Sequence, residues 1–137
     1  MYFFNTHFDH IGREARAQSA ALIKKRVEGL PGDPPVVITG DFNEGEGSRP
    51  YHALFDPVDS MPPLLQDAYR AANPVRASEE GTFSGFLVTN RMGSRIDWIA
   101  CTQQFRVKSA SIDRTEKEGR TPSDHFPVEA VLERAVD

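Results

Sequence analysis

The sequence predicts an α/β fold, and three observations carry that prediction. The run Val36-Val37-Ile38-Thr39 is β-branched, apolar and uncharged, the composition of a strand buried on both faces. Between an aromatic-rich extended segment at residues 2–8 and this run, the apolar spacing switches to threes and fours, so strand, helix and strand follow one another within about forty residues, and that order suits a parallel crossover. Finally, the extended segments end on polar, ionisable residues, which is where α/β proteins place their binding crevices.

Taken in order, YFFNTHF at residues 2–8 is rich in aromatics and Thr and reads as a strand ending near His7, Asp9 and His10. Ile11, Ala15, Ser19, Leu22, Ile23, Val27 and Leu30 then mark an amphipathic helix to about Gly29, with Arg13, Arg16, Lys24 and Lys25 mostly off the apolar stripe. Gly29, Pro31 and Gly32 stop it, and Asp33-Pro34-Pro35 leads into the Val36 strand. That strand ends on Gly40-Asp41-Phe42-Asn43. Asp41 and Asn43 lie two apart on one side of an extended chain and can converge on a ligand; an Asx turn leading to Gly45 and Gly47 explains the pair equally well. Short helices are expected over Ser48 to Phe55 and Gln66 to Ala72, separated by DPVDSMPP. Gly81-Thr82-Phe83-Ser84-Gly85-Phe86 reads as a surface loop offering ring faces or as a hairpin bend. Arg95 to Cys101 is a strand carrying Asp97 where an apolar residue is expected, and Phe105 to Ile112 a strand whose buried face the alternation leaves open. After a turn at Gly119 to Pro122, Ser123-Asp124-His125 leads into a last strand, Phe126 to Leu132, with Pro127 marking an edge or bulge.

Composition narrows the function classes. The chain has 137 residues, 39% hydrophobic and 26% charged, as expected of one globular domain spanning 1–137, and its net charge of −4 argues against a broad electrostatic grip on nucleic acid. The single cysteine, Cys101, excludes an internal disulfide and reads as a small buried hydrophobe. No apolar run is long enough to span a membrane. The chain enters directly into an extended apolar run at Met1-Tyr2-Phe3-Phe4, as though preceding sequence were missing. A leader would be missing with it, so localisation is open, with the cytoplasm as default.

Asn5, His7, Asp41, Asn43, Asp97, Asp124 and His125 recur at strand ends. Singly each has a structural explanation, such as a turn cap or a partner for Arg95; together they call for chemistry. The segment around Ser84 has the wrong glycine spacing for a nucleophile elbow, and neither H-E-x-x-H nor paired cysteines support zinc. An EF-hand fails because Gly45 is fifth after Asp41, counted inclusively, and the twelfth residue is His52. Phosphoester hydrolysis with a hard divalent ion remains, since carboxylates, amides and imidazoles can orient a water and neutralise phosphate oxygens.

The segments N-T-H (Asn5 to His7), G-D-F-N (Gly40 to Asn43), R-I-D-W-I (Arg95 to Ile99) and S-D-H-F-P-V (Ser123 to Val128) resemble, in order and rough spacing, the carboxy-terminal half of the endonuclease/exonuclease/phosphatase superfamily of DNase I-like metal-dependent hydrolases. The helix from Ala15 to Ile23 and the loop Thr82 to Phe86 look like its bacterial metal-dependent hydrolase branch. The resemblance implies half of a DNase I-like α/β sandwich: one mixed sheet with helices on one face, completed by other polypeptide or by dimerisation. It implies Mg²⁺ or Mn²⁺ as cofactor and a phosphoester as substrate. Asp41 would orient or deprotonate the attacking water, with Asn43 holding it and a phosphate oxygen. His7 would donate to the scissile phosphate, His125 would contact the phosphoryl group or serve as acid or base in place of Asp41, Asp97 would orient His125, Asp124 and Asp41 would be metal-side carboxylates, and Thr82 and Phe83 would line the substrate side. The family's principal metal-binding glutamate belongs to the other half, so a non-catalytic half-domain or interaction module is the alternative.

Overall fold

A computed structural model describes residues 1–59 and 61–135. A mixed sheet carries the architecture. Its strands are β1 (Tyr2–His7), β2 (Val36–Asp41), β3 (Leu65–Asp67) and β4 (Asp97–Thr102), ordered β1-β2-β4-β3; β1 and β2 are parallel, and β4 runs antiparallel to both β2 and β3. Helices α1 (Arg13–Glu28), α2 (Arg49–Phe55) and α3 (Ala68–Ala72) complete the α component. The pair β5 (Phe105–Ile112) and β6 (Val128–Arg134) forms a separate two-stranded antiparallel sheet, a layer beyond the single sheet the sequence suggests.

Strand β2 is the predicted central strand. Val36 and Ile38 face the helices and join Phe8, Ala20, Val27, Phe42, Leu54, Leu65, Trp98 and Ala100 in the main core. Val37, on the opposite face, packs with Cys101 and Phe105, beside Ile99, Val107 and Leu132, which joins the small sheet to the large one. Burial pushes the Cys101 thiol up to about 12, so it is inert packing, as read from the sequence. At Gly40 a Cβ would lie 2.0 Å from the Thr6 carbonyl oxygen, so only glycine lets β1 and β2 stay paired to their ends.

Helix α1, β2 and β5 follow expectation, β4 and β6 each begin two residues later than expected, and the buried stripe of α1 departs from it. Arg16, Ala20 and Val27 are its buried residues, whereas Ile11 and Leu22 are exposed. The stripe is rotated because the Arg16 guanidinium bonds Glu44 and the Asp9 carbonyl, and that partnership lets a charge enter the packed face. Of the expected 66–72 helix, only Ala68–Ala72 is helical; Leu65–Asp67 pairs with β4, and the Asp67 carboxylate caps α3 by accepting from Tyr69 N and Arg70 N. Strand β5 explains its own ambiguity. The register slips between Val107 and Ser109, so Lys108 is an inserted residue, and the inward side changes from Phe105 and Val107 to Ala110 and Ile112.

Candidate active site

The sheet topology builds the site. Register pairs His7 with Asp41 on β1–β2 and Asp41 with Asp97 on β2–β4, so three site residues distant in sequence form one rung across three adjacent strands. Phe42, between Asp41 and Asn43, points the other way; it is fully buried and stacks on Trp98 with ring centroids 4.4 Å apart, which anchors the turn to the core.

The Asp41–Asn43 turn is both an Asx turn and a site element. Asp41 Oδ1 accepts from Asn43 N at 2.8 Å, while Asn43 Nδ2 donates to the Phe8 carbonyl at 2.9 Å and to Asp41 Oδ2 at 3.3 Å. Asn43 sits at φ +51, a left-handed conformation that asparagine tolerates. Both donors of its amide are therefore engaged, one on the carboxylate of Asp41 and one on the carbonyl that follows β1.

His125 arrives from the loop before β6. Its Nδ1 lies 2.8 Å from Asp97 Oδ2 and its Nε2 lies 3.8 Å from Asp41 Oδ2; His7 Nε2 approaches the same Asp41 oxygen at 3.4 Å. Burial pulls the His125 imidazole down, but the hydrogen bond and charge of Asp97, aided by Asp41 and Asp124, outweigh it and leave its pKa raised. Burial pushes Asp41 up, and the Asp97 charge adds to this; the Asn43 amide and the two imidazoles oppose it without reversing it. Arg95, a sequence-based partner for Asp97, instead bonds Asp67 and Glu46, which leaves Asp97 to His125.

Among the described residues, the donor atoms that converge are those of Asp41, Asp97 and His125, all within 4.8 Å of one another. This carboxylate-rich set fits a hard divalent ion that keeps water or phosphate oxygens as its remaining ligands. Asp124 stands outside the cluster; its carboxylate accepts from Ser123 Oγ at 3.3 Å.

The loop from Gly81 to Phe86 keeps the Phe83 and Phe86 rings exposed, but its backbone is braced by buried Thr82 and Ser84. Phe83 bridges to His125 in antiparallel fashion, and its ring meets the imidazole edge-on at 5.3 Å while remaining half exposed. Thr82, expected to line the substrate side, is fully buried, with its hydroxyl on the backbone of Ile96 and Asp97. The sequence reading missed this brace and the ion network behind it, in which Glu46 accepts from Arg70, Arg76 and Arg95, and Glu80 from Arg70. The alternation of Thr82 and Ser84 around Phe83 was the available signal for the brace; the network joins residues far apart in sequence and left none.

The mixed sheet and its strand-end cluster of carboxylates, amide and imidazole define an α/β protein whose polar side chains converge at one end of the sheet. A model described as the Endonuclease/Exonuclease/phosphatase family matches residues 2–125, and the chain belongs to that family. Similar solved structures include a family protein from Bacteroides thetaiotaomicron, 36% identical over 95% of this chain and 48% of its own, with a TM-score of 0.81. A mannosyl-6-phosphatase from Bacteroides thetaiotaomicron VPI-5482 is 35% identical over 95% of this chain and 50% of its own, with a TM-score of 0.80. D. rerio TDP2, solved with a single-strand DNA product, shares the fold at 14% identity and a TM-score of 0.69, over 94% of this chain and 54% of its own. The chain thus spans about half the length of these solved relatives. No curated protein matches the sequence significantly.

Proposed function

We propose that this chain carries the proton-transfer half of a metal-dependent phosphoesterase. The observation that carries the reading is the rung His7–Asp41–Asp97 with His125 seated against both carboxylates. Mg²⁺ or Mn²⁺, held at Asp41 with Asp97 and His125 close by, would neutralise phosphate oxygens and acidify water. Asp41, oriented by Asn43, accepts the proton of the attacking water. His125, held by Asp97 through Nδ1 and with its pKa raised, presents Nε2 as a donor toward a phosphoryl or leaving oxygen. His7, largely exposed beside Asp41, contacts the phosphate from the other side. Phe83 borders the substrate beside His125.

Small phosphoesters, sugar phosphomonoesters among them, are the first substrates to test. The net charge of −4 disfavours long duplex DNA, and one relative at 35% identity is a mannosyl-6-phosphatase. A second copy of the chain is proposed to cover the exposed Phe3 side of the sheet, the copies packing about a two-fold axis. The competing reading, a half-domain without catalysis, is favoured by the chain's half-length match and by Asp124 standing outside the donor cluster.

The test is hydrolysis of a chromogenic diester, a chromogenic monoester and mannose 6-phosphate with Mg²⁺, Mn²⁺ or EDTA, alongside Asp41→Ala and His125→Ala. Metal-dependent turnover lost in both variants is expected. A folded chain no faster than those variants would establish the half-domain reading for these esters.

A further inference from the structure

Thr82 is fully buried, and its polar groups reach two separate segments, the lead into β4 and the loop before β6. Its hydroxyl oxygen accepts from Ile96 N at 3.0 Å and Asp97 N at 3.2 Å. Its carbonyl accepts from Phe126 N at 2.7 Å, next to His125, and its own N–H donates to the Ser94 carbonyl. Two residues on, Ser84 is also fully buried; its backbone N–H and hydroxyl both donate to the Asp124 carbonyl, at 2.7 and 2.9 Å. The loop thus runs as a short extended stitch, hydroxyls inward and Phe83 outward, between the strand that bears Asp97 and the loop that bears His125.

This geometry answers a problem the register leaves open. Asp97 is held by β2 through its rung, but His125 lies outside both sheets, and no ladder sets its distance from Asp97. Thr82 is bonded to the backbone on both sides of that gap. A buried amide deprived of its acceptor pulls its segment toward another, so without the hydroxyl the Ile96–Asp97 backbone would have reason to move. We infer that Thr82 is a positioning residue: its hydroxyl fixes the backbone of Asp97 while its carbonyl fixes that of Phe126, and together they set the Asp97–His125 hydrogen bond.

Thr82→Val keeps the shape and removes the acceptor, Thr82→Ser keeps the acceptor, and Ser84→Ala removes the neighbouring hydroxyl only. NMR of the whole chain at one fixed pH reads the outcome without requiring turnover. In the unsubstituted chain the Ile96 and Asp97 amides exchange slowly, and the His125 Nδ1–H gives a low-field hydrogen-bonded resonance. In Thr82→Val those amides exchange roughly ten- to a hundredfold faster and the resonance is lost. Thr82→Ser retains both signals, and Ser84→Ala leaves the two amides protected. A folded Thr82→Val that keeps the resonance, a Thr82→Ser that loses it, or fast exchange of both amides in the unsubstituted chain overturns the inference; the last two decide it even where the valine variant does not fold. The kinetic arm rests on the phosphoesterase reading: there Thr82→Val lowers kcat roughly ten- to a hundredfold with KM little changed, and serine rescues it. Absence of turnover in every variant, with the NMR differences intact, refutes the phosphoesterase reading and leaves the role of Thr82 standing.

Discussion

Asp41 does two jobs that look like alternatives in the sequence. One oxygen closes a turn on Asn43 N, and the other faces His7 and His125. Replacement by asparagine separates them, because an amide oxygen still closes the turn but cannot take a proton. Asp41→Asn is expected to shift stability by about 1 kcal/mol or less while lowering turnover roughly 10²- to 10⁴-fold. A thermal melt and a rate measured on one preparation check both, and full turnover in the folded variant would remove Asp41 from the chemistry. Asp97 and His125 stood out in sequence as candidates by their side-chain chemistry, and the structure pairs the two. The bracing role of Thr82 did not stand out, because a threonine offers the same hydroxyl to a ligand or to a neighbour's backbone, and only burial distinguishes the two.

At the scale of elements, the buried network behind the site ties together the loop after β2, the helix α3 and the lead into β4. Burial alone would push Glu46 up, but the Arg70 and Arg95 guanidiniums against it hold its carboxyl below the usual value of 4.5. A depressed carboxylate stabilises the fold above its unfolded pKa and loses that contribution as pH falls through its folded one. Glu46→Gln leaves buried arginine charge short of a partner and is expected to cost about 3 kcal/mol at neutral pH. The gap from the unsubstituted chain should then narrow as pH drops below 4.5. Denaturant melts at a series of pH values test this; a gap constant from neutral to acid would show that the Glu46 charge adds nothing. Period and composition revealed most elements but misled on the face of α1, since a helix wheel gives no credit to an arginine such as Arg16 that brings its own partners. The open face of β5 had a similar cause: one inserted residue reverses a two-residue alternation, and the insertion is defined only by the partner strand.

The whole molecule presents an unfinished surface. Strand β1 is a sheet edge, and Met1, Tyr2 and Phe3 are exposed there, Phe3 at 62%. Apolar edges of this kind invite pairing or packing. If a second copy covers the face, Phe3→Lys should convert a dimer to a monomer in light scattering and remove any dependence of the melting temperature on protein concentration; a monomer at every concentration before substitution would exclude the dimer. An α/β class was legible from the strand–helix–strand order, and the family from four short motifs. Strand order and the second layer were not, because β4 arrives from far along the chain and no local pattern states which neighbour it will take.

The rung formed by His7, Asp41 and Asp97 also has a kinetic consequence. The parallel β1–β2 pair closes over a single helix, whereas β4 must cross a much longer stretch of chain to reach β2, and distant contacts form slowly because loop-closure entropy is lost before they repay it. His125 arrives from farther along still. A chain that has paired β1 with β2 would therefore hold Asp41 beside His7 but still lack Asp97 and His125. Such a chain holds the early half of the rung, and the docking of β4 completes it.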